Sequence, residues 1–198
     1  MSEVAALVLA AGQGTRFGEE PKLLASFRGT SLVRWVAQAA LRACTAPVIV
    51  VTGHRAEEIE AALADLAVEF ARNPSYAEGL STSLKAGFRA LPEGSEAAVV
   101  LLGDMPLVGS GVIDRLVDAW RASGRPSALV PVSNGRRSNP VVLSRALAPD
   151  IMALAGDVGA GPLLRRRDDV AEYPLEDPAL LQDVDTPDVL AGLAARIE

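Results

Sequence analysis

The chain has 198 residues, 49% of them hydrophobic and 22% charged, enough to bury one sizeable core and short of a comfortable two. Its formal net charge of −6 lacks the basic footprint of general nucleic-acid binding, although local cations and backbone N–H groups can still hold a small anion. The single cysteine, Cys44, excludes an internal disulfide and a multi-cysteine metal site.

Short apolar runs alternate with helical patterns along the chain. Val4–Ala10 reads as a buried strand. Residues 31–43 place Leu32, Val33, Val36, Ala37, Ala40 and Leu41 on one helical face. Residues 47–52 form a second strand, rich in β-branched side chains. Residues 56–66 are expected as a helix with Ile59, Leu63 and Leu66 inward, followed by a third strand over 67–71 and a helix over 80–91. Ala97–Leu102, apolar throughout, has the character of a central parallel strand. A helix over 111–122 follows, then strands over 127–132 and 140–143. Helical segments over 145–154 and 162–166, a late strand over 170–174 and a closing helix over 187–197 complete the chain.

Strands alternating with helices predict an α/β fold with a mostly parallel sheet, in one domain spanning 1–198. Met1-Ser2-Glu3 carries no basic stretch ahead of the first apolar run, so no signal peptide is expected. No apolar stretch approaches about 18 residues, so no membrane span or membrane partner is expected. A cytoplasmic protein is the default.

In open α/β sheets ligands bind at the carboxyl ends of the strands, and the informative residues sit there. After the first strand comes Leu9-Ala10-Ala11-Gly12-Gln13-Gly14-Thr15-Arg16-Phe17-Gly18, then Pro21-Lys22. Its glycines let backbone N–H groups approach phosphate oxygens, and Arg16 and Lys22 add positive charge to the same loop. A Walker loop is excluded because no Gly-Lys-Ser/Thr closes it. A dinucleotide fingerprint is excluded because the third glycine falls one residue late and the second strand ends in Thr52-Gly53-His54 without an acid. His54, the only histidine, reads as a helix-start or surface residue.

The central strand ends in Gly103-Asp104-Met105-Pro106. An aspartate there faces the ligand crevice, where Mg²⁺ is held by one or two carboxylates together with substrate phosphates. Asp183-Val184-Asp185-Thr186-Pro187 precedes the last helix. Thr186 and Pro187 are explained by helix initiation. The two aspartates are not, and Asp185 is the expected second metal ligand, with Asp183 the alternative.

These residues resemble the signature loop of the sugar-phosphate and cofactor nucleotidyltransferases and, within them, the molybdenum cofactor cytidylyltransferases. Four further segments carry the resemblance: Asn73–Gly87, Gly103–Pro106, Gly156–Ala160 and Asp183–Pro187. The resemblance implies a Rossmann-like three-layer sandwich with one antiparallel strand. It implies CTP (or another NTP) and Mg²⁺, a molybdopterin-type phosphorylated acceptor, and a molybdoenzyme or chaperone that receives the product. Carried over by position, Leu9, Ala10, Ala11, Gly12, Gly14 and Thr15 bind the nucleotide, and Arg16 and Lys22 hold the triphosphate. Gly79, Ser81 and Ser83 lie near the nucleotide, and Asp104 binds the metal. The chain departs from the family in two places: Ser138-Asn139-Pro140 stands where Gly-His-Pro is usual, and Gly161 stands where an arginine is usual. Both departures concern the acceptor side. Arg165, Arg166 and Arg167 are nearby cations left outside the expected site.

Overall fold

The computed structural model describes residues 3–17 and 21–195. Gly18 of the first loop lies outside them, as do residues 196–197 of the expected closing helix and the Arg16 side chain.

Strand β1, Val4–Ala10, is buried on both faces along its whole length. It is the centre of the molecule because nothing in it needs water. After a two-residue hairpin, β2 (Ser26–Phe27) with β3 (Thr30–Ser31), the chain enters α1, Leu32–Arg42. β4 (Val48–Thr52) then pairs parallel with β1. α2 (Ala56–Ala62) leads to β5 (Glu69–Arg72), parallel to β4. α3, Leu80–Ala90, crosses back to β6, Ala97–Leu102, on the opposite side of β1. Beyond α4 (Ser110–Ala122) come β7 (Ala128–Ser133), the short β8 (Arg136–Arg137) and β9 (Val141–Ser144). The short helices α5 (Ala148–Ala153) and α6 (Gly161–Leu164), then β10 (Val170–Pro174) and α7 (Pro187–Ala195), close the chain.

The sheet order is β5-β4-β1-β6-β9-β7-β10, with β8 attached to β7. Along that path only β9 runs against its neighbours, β6 and β7. The alternation of side chains along β1 divides the core into two. Val4, Ala6, Val8 and Ala10 pack beneath α1, α2 and α4. Ala5, Leu7, Leu9 and Ala11 pack beneath α3, α5 and α6. The result is a three-layer sandwich. Connections leave β1 in one direction and β6 in the other, so the crevice between their carboxyl ends is the topological switch point.

Several expected boundaries moved, three of them instructively. The helix over 56–66 stops at Ala62, because Arg34 of α1 donates to the Ala62 carbonyl (2.9 Å) and forks onto the Asp65 carboxylate (2.6 and 2.5 Å). That cation at a helix C-terminus occupies carbonyls the next turn would need. The third strand starts at Glu69 rather than residue 67, with Val68 N–H turned back to the Leu66 carbonyl. The segment over 145–154 opens as a 3₁₀ turn, Arg145–Leu147, before α5 begins. Among the described residues no helix is long and apolar enough to cross a membrane.

The Arg34–Asp65 pair yields a pH prediction. Hydrogen bonding from the guanidinium holds the Asp65 carboxyl near a pKa of about 2, below its ordinary 3.8. A depressed carboxyl stabilises the fold fully above its unfolded pKa and stops doing so as pH falls through the folded one. Arg34→Ala is therefore expected to melt lower than wild type at pH 7, with the gap closing as pH drops from about 4 towards 2. Melting curves across that range test it, and a pH-independent gap would assign the loss to packing alone.

Candidate active site

A cavity of about 490 Å³ opens at the switch point. Its floor is the loop after β1. Gly14 has φ +60°, and a Cβ on it would stand 2.9 Å from Lys22 Cβ, so glycine there lets the chain fold back and bring Lys22 beneath the loop. Lys22 opens a 3₁₀ turn to Leu24, whose Leu23 is anchored in the core.

Asp104 is placed from the neighbouring strand. Gly103 N–H donates to the Leu9 carbonyl (3.0 Å), extending the β1–β6 pairing by one step, and Met105 N–H turns back to Leu102 (3.2 Å). The last loop is tied to this turn. Val184 is wholly buried against Phe17, Phe27 and Leu32, and its N–H donates to the Asp104 carbonyl at 2.9 Å. That anchor sets Asp185 beside Asp104.

Lys22 Nζ lies 2.6 Å from Asp104 Oδ2 and 3.0 Å from Asp185 Oδ1. The Lys22 and Asp104 side chains are only 13% and 17% exposed. Burial opposes the ammonium charge, but the two carboxylates outweigh it and hold the Lys22 pKa above its ordinary value. Asp104 Oδ1 is buried with no hydrogen-bond partner. A buried carboxylate oxygen without a partner is costly unless a ligand completes it. Among the described residues no cluster of three or more His, Cys, Asp or Glu forms a metal site. Two carboxylates, one with an unpartnered oxygen, fit a divalent cation that draws its other oxygens from phosphate and water.

The cavity brings together most of the expected residues: Leu9, Ala10, Ala11, Gly12, Gly14 and Thr15 on the loop, Lys22, Asp104 and Asp185 at its acidic end, and Gly79 and Ser83 across from them. Ser81 is apart. It is wholly buried on the sheet side of α3 and does not line the cavity. The Arg16 backbone lies in the 3₁₀ turn Thr15–Phe17. Between Asp183 and Asp185, only Asp185 reaches Lys22.

The Asn73–Gly87 and Gly156–Ala160 segments prove to be one construction. Asp157 Oδ1 accepts the Leu80 N–H (3.0 Å) at the start of α3. Gly79 has φ +112°, and a Cβ there would fall 2.6 Å from the backbone of Gly156 and Asp157. Asn73 donates to the Thr82 and Ser83 hydroxyls at 2.8 and 3.1 Å. Gly79→Ala is expected to destabilise the protein by about 2 kcal/mol or more, because strained backbone and backbone overlap add. A melting temperature within a degree of wild type would show that the 156–159 loop simply moves away.

Sequence reasoning missed His54, Tyr76 and Asp157, which also line the cavity. The His54 and Tyr76 rings lie 5.8 Å apart, and His54 N–H donates to the Ala11 carbonyl (3.1 Å). The signal for His54 was position: it stands two residues past the end of β4, a parallel strand, at the ligand edge of the sheet. Ser138, Asn139 and Pro140 do not line the cavity, and the Ser138 hydroxyl donates to the Leu180 carbonyl. Arg165 Nη1 lies 3.6 Å from where a Cβ on Gly161 would stand, whereas Arg167 is paired with Asp150 and Asp169.

The profile of the MobA-like NTP transferase domain matches residues 6–170. The chain is 29% identical to the molybdenum cofactor cytidylyltransferase of Escherichia coli, over 95% of this chain and 94% of that one. It is 35% identical to the bifunctional protein GlmU of Syntrophotalea carbinolica over 73% of its own length, but spans only 31% of that protein. A chain named nicotine blue oxidoreductase, from Paenarthrobacter nicotinovorans, is 29% identical, with 92% of each covered. Among solved structures, the manganese complex of Rv0371c from Mycobacterium tuberculosis superposes with a TM-score of 0.83 at 25% identity, covering 98% of this chain and 99% of that one.

Proposed function

Because the chain belongs to the MobA-like NTP transferase family, we propose that it transfers CMP from CTP to the terminal phosphate of a molybdopterin-type cofactor in the cytoplasm, with Mg²⁺, releasing pyrophosphate. The observation that carries this reading is the Lys22 ammonium between Asp104 and Asp185, at the mouth of a glycine-loop cavity. That arrangement supports phosphoryl chemistry over the oxidoreductase name of one relative, since no acid ends β4 to hold a dinucleotide ribose. The near-complete mutual coverage with the cytidylyltransferase favours CTP and a cofactor acceptor over GTP or another phosphorylated acceptor.

In this mechanism the acceptor phosphate oxygen attacks the α-phosphorus in line and pyrophosphate departs. A phosphate monoester has a second pKa of about 6, so the nucleophile is anionic near neutral pH without a general base. The protein's task is then positioning and charge stabilisation. Backbone N–H groups of residues 11–15 cradle the triphosphate. Lys22 leaves its carboxylate partners for the β- and γ-phosphates, and Arg16 is assigned the same role from its place in the loop. Asp104 and Asp185 would hold the divalent cation, which neutralises charge as pyrophosphate leaves. Mass spectrometry of products from an equal mixture of the four NTPs, Mg²⁺ and molybdopterin-type acceptor tests the proposal. A CMP adduct is expected. A GMP adduct would move the chain to guanylyl transfer, and no nucleotide adduct would overturn it.

A further inference from the structure

Glu78 borders two cavities. Beyond it lies a second concavity of about 500 Å³, lined by Arg72, Asn73, Ser75, Thr82, Lys85 and Arg89 among others. Its floor is the outer face of α3. Leu84 and Phe88 of that helix are buried, and Thr82, Lys85 and Arg89, spaced i, i+3, i+7, share the other side. The wall is the 73–78 loop, fixed because Thr82 Oγ1 lies 3.0 Å from the Ser75 carbonyl and 2.8 Å from that of Gly79.

The charge there is net positive, with Arg72, Lys85 and Arg89 against the lining acid Glu78. Lys85 is half-buried, and among the described residues neither it nor Arg89 has a carboxylate partner. This is a chain with 25 acidic against 19 basic residues, in which Arg34, Arg55, Arg121, Arg125 and Arg137 have such partners, while Arg42 and Arg145 bond to carbonyls instead. Two like charges four residues apart on one helix face disfavour the free protein. Arg72 adds a third cation at the rim, already paired with Glu60 at 2.7 Å. We infer that this second concavity is a binding site, separate from the nucleotide cavity, for the phosphate group of a small phosphorylated molecule. A dianionic phosphate offers acceptor oxygens to both Lys85 and Arg89, and a concave site of this size suits a small ligand rather than a protein surface.

The test is an amide NMR titration with inorganic phosphate at constant ionic strength, with chloride as control. Saturable shifts in residues 75 and 82–90 are expected, and they persist in Lys22→Ala, which disables the first cavity. The doubly substituted Lys85→Gln/Arg89→Gln protein should bind phosphate at least tenfold more weakly while melting no lower than wild type. Shifts reproduced by chloride, or confined to residues 11–15 and lost in Lys22→Ala, overturn the site. So does unchanged phosphate binding in the double variant. The double variant's KM for the molybdopterin-type acceptor should be unchanged, because the acceptor phosphate must reach the α-phosphorus in the first cavity; a rise would overturn the separation of the two sites.

Discussion

Lys22→Ala is expected to lower CTP affinity and turnover by about two to three orders of magnitude while raising the affinity for a divalent cation alone. The opposite signs follow from the position of one ammonium. Without nucleotide, Lys22 neutralises Asp104 and Asp185 at 2.6 and 3.0 Å, and a cation seeking those carboxylates must displace it. Alanine removes the competitor and leaves two acids to share one ion, so binding of Mn²⁺ alone should strengthen about tenfold or more. The metal-free variant should lose about 1–3 kcal/mol of stability, since removing one member of a part-buried pair leaves charge unpaired. Added Mg²⁺ should restore much of that loss by binding the folded state. Calorimetric titration of Mn²⁺ and of CTP with Mg²⁺ reads the two effects separately. Unchanged CTP binding and turnover would sink the assignment of Lys22 to the triphosphate. Unchanged Mn²⁺ binding would sink only its role as counter-ion.

Two strands of the buried sheet centre were legible to the residue. Val4–Ala10 and Ala97–Leu102 match their sequence readings because continuous apolar runs have no other stable place in an α/β fold. The edge was less legible. Glu69 and Phe70 of β5 are exposed, so burial left no pattern at the true start of that strand. The β2–β3 hairpin and β8 were invisible, because two-residue strands carry no periodicity. The early stop of α2 is tertiary: it depends on Arg34, 31 residues before Asp65.

The candidate site divides in the same way. Loop glycines and strand-end acids announce themselves by chemistry and position, and they line one cavity. Lys22, however, meets partners 82 and 163 residues away, and spacing cannot show that its charge is engaged in the free protein. His54 reads in the sequence as a helix-start or surface residue, yet it lines the cavity because it lies just past the end of β4. Ser81 was included by its neighbours, but helical geometry turns it inward while Ser83 reaches the cavity.

Asp104→Asn should lower turnover by about two to four orders of magnitude with only a modest change in melting temperature. Asp104 is half-buried and paired with Lys22, not the freely exposed edge carboxylate its place after a strand suggests. Even so, two features limit the folding cost. Asp185 remains to compensate Lys22, and an amide oxygen can still accept the ammonium proton that Oδ2 now takes. The amide nitrogen takes the place of Oδ1, which already lacks a partner, so no satisfied hydrogen bond is broken there. Turnover has no such compensation, because an amide contributes no charge to a divalent cation and, among the described residues, Asp185 is the carboxylate left beside Lys22. If Asp104 served the turn alone, its backbone carbonyl, which accepts the Val184 N–H, would carry that role, and the amide would leave activity near normal. Melting temperature, Mn²⁺ affinity and pyrophosphate release, measured on this one variant, separate the two. Wild-type Mn²⁺ binding together with Mg²⁺-dependent turnover would remove Asp104 from the metal site.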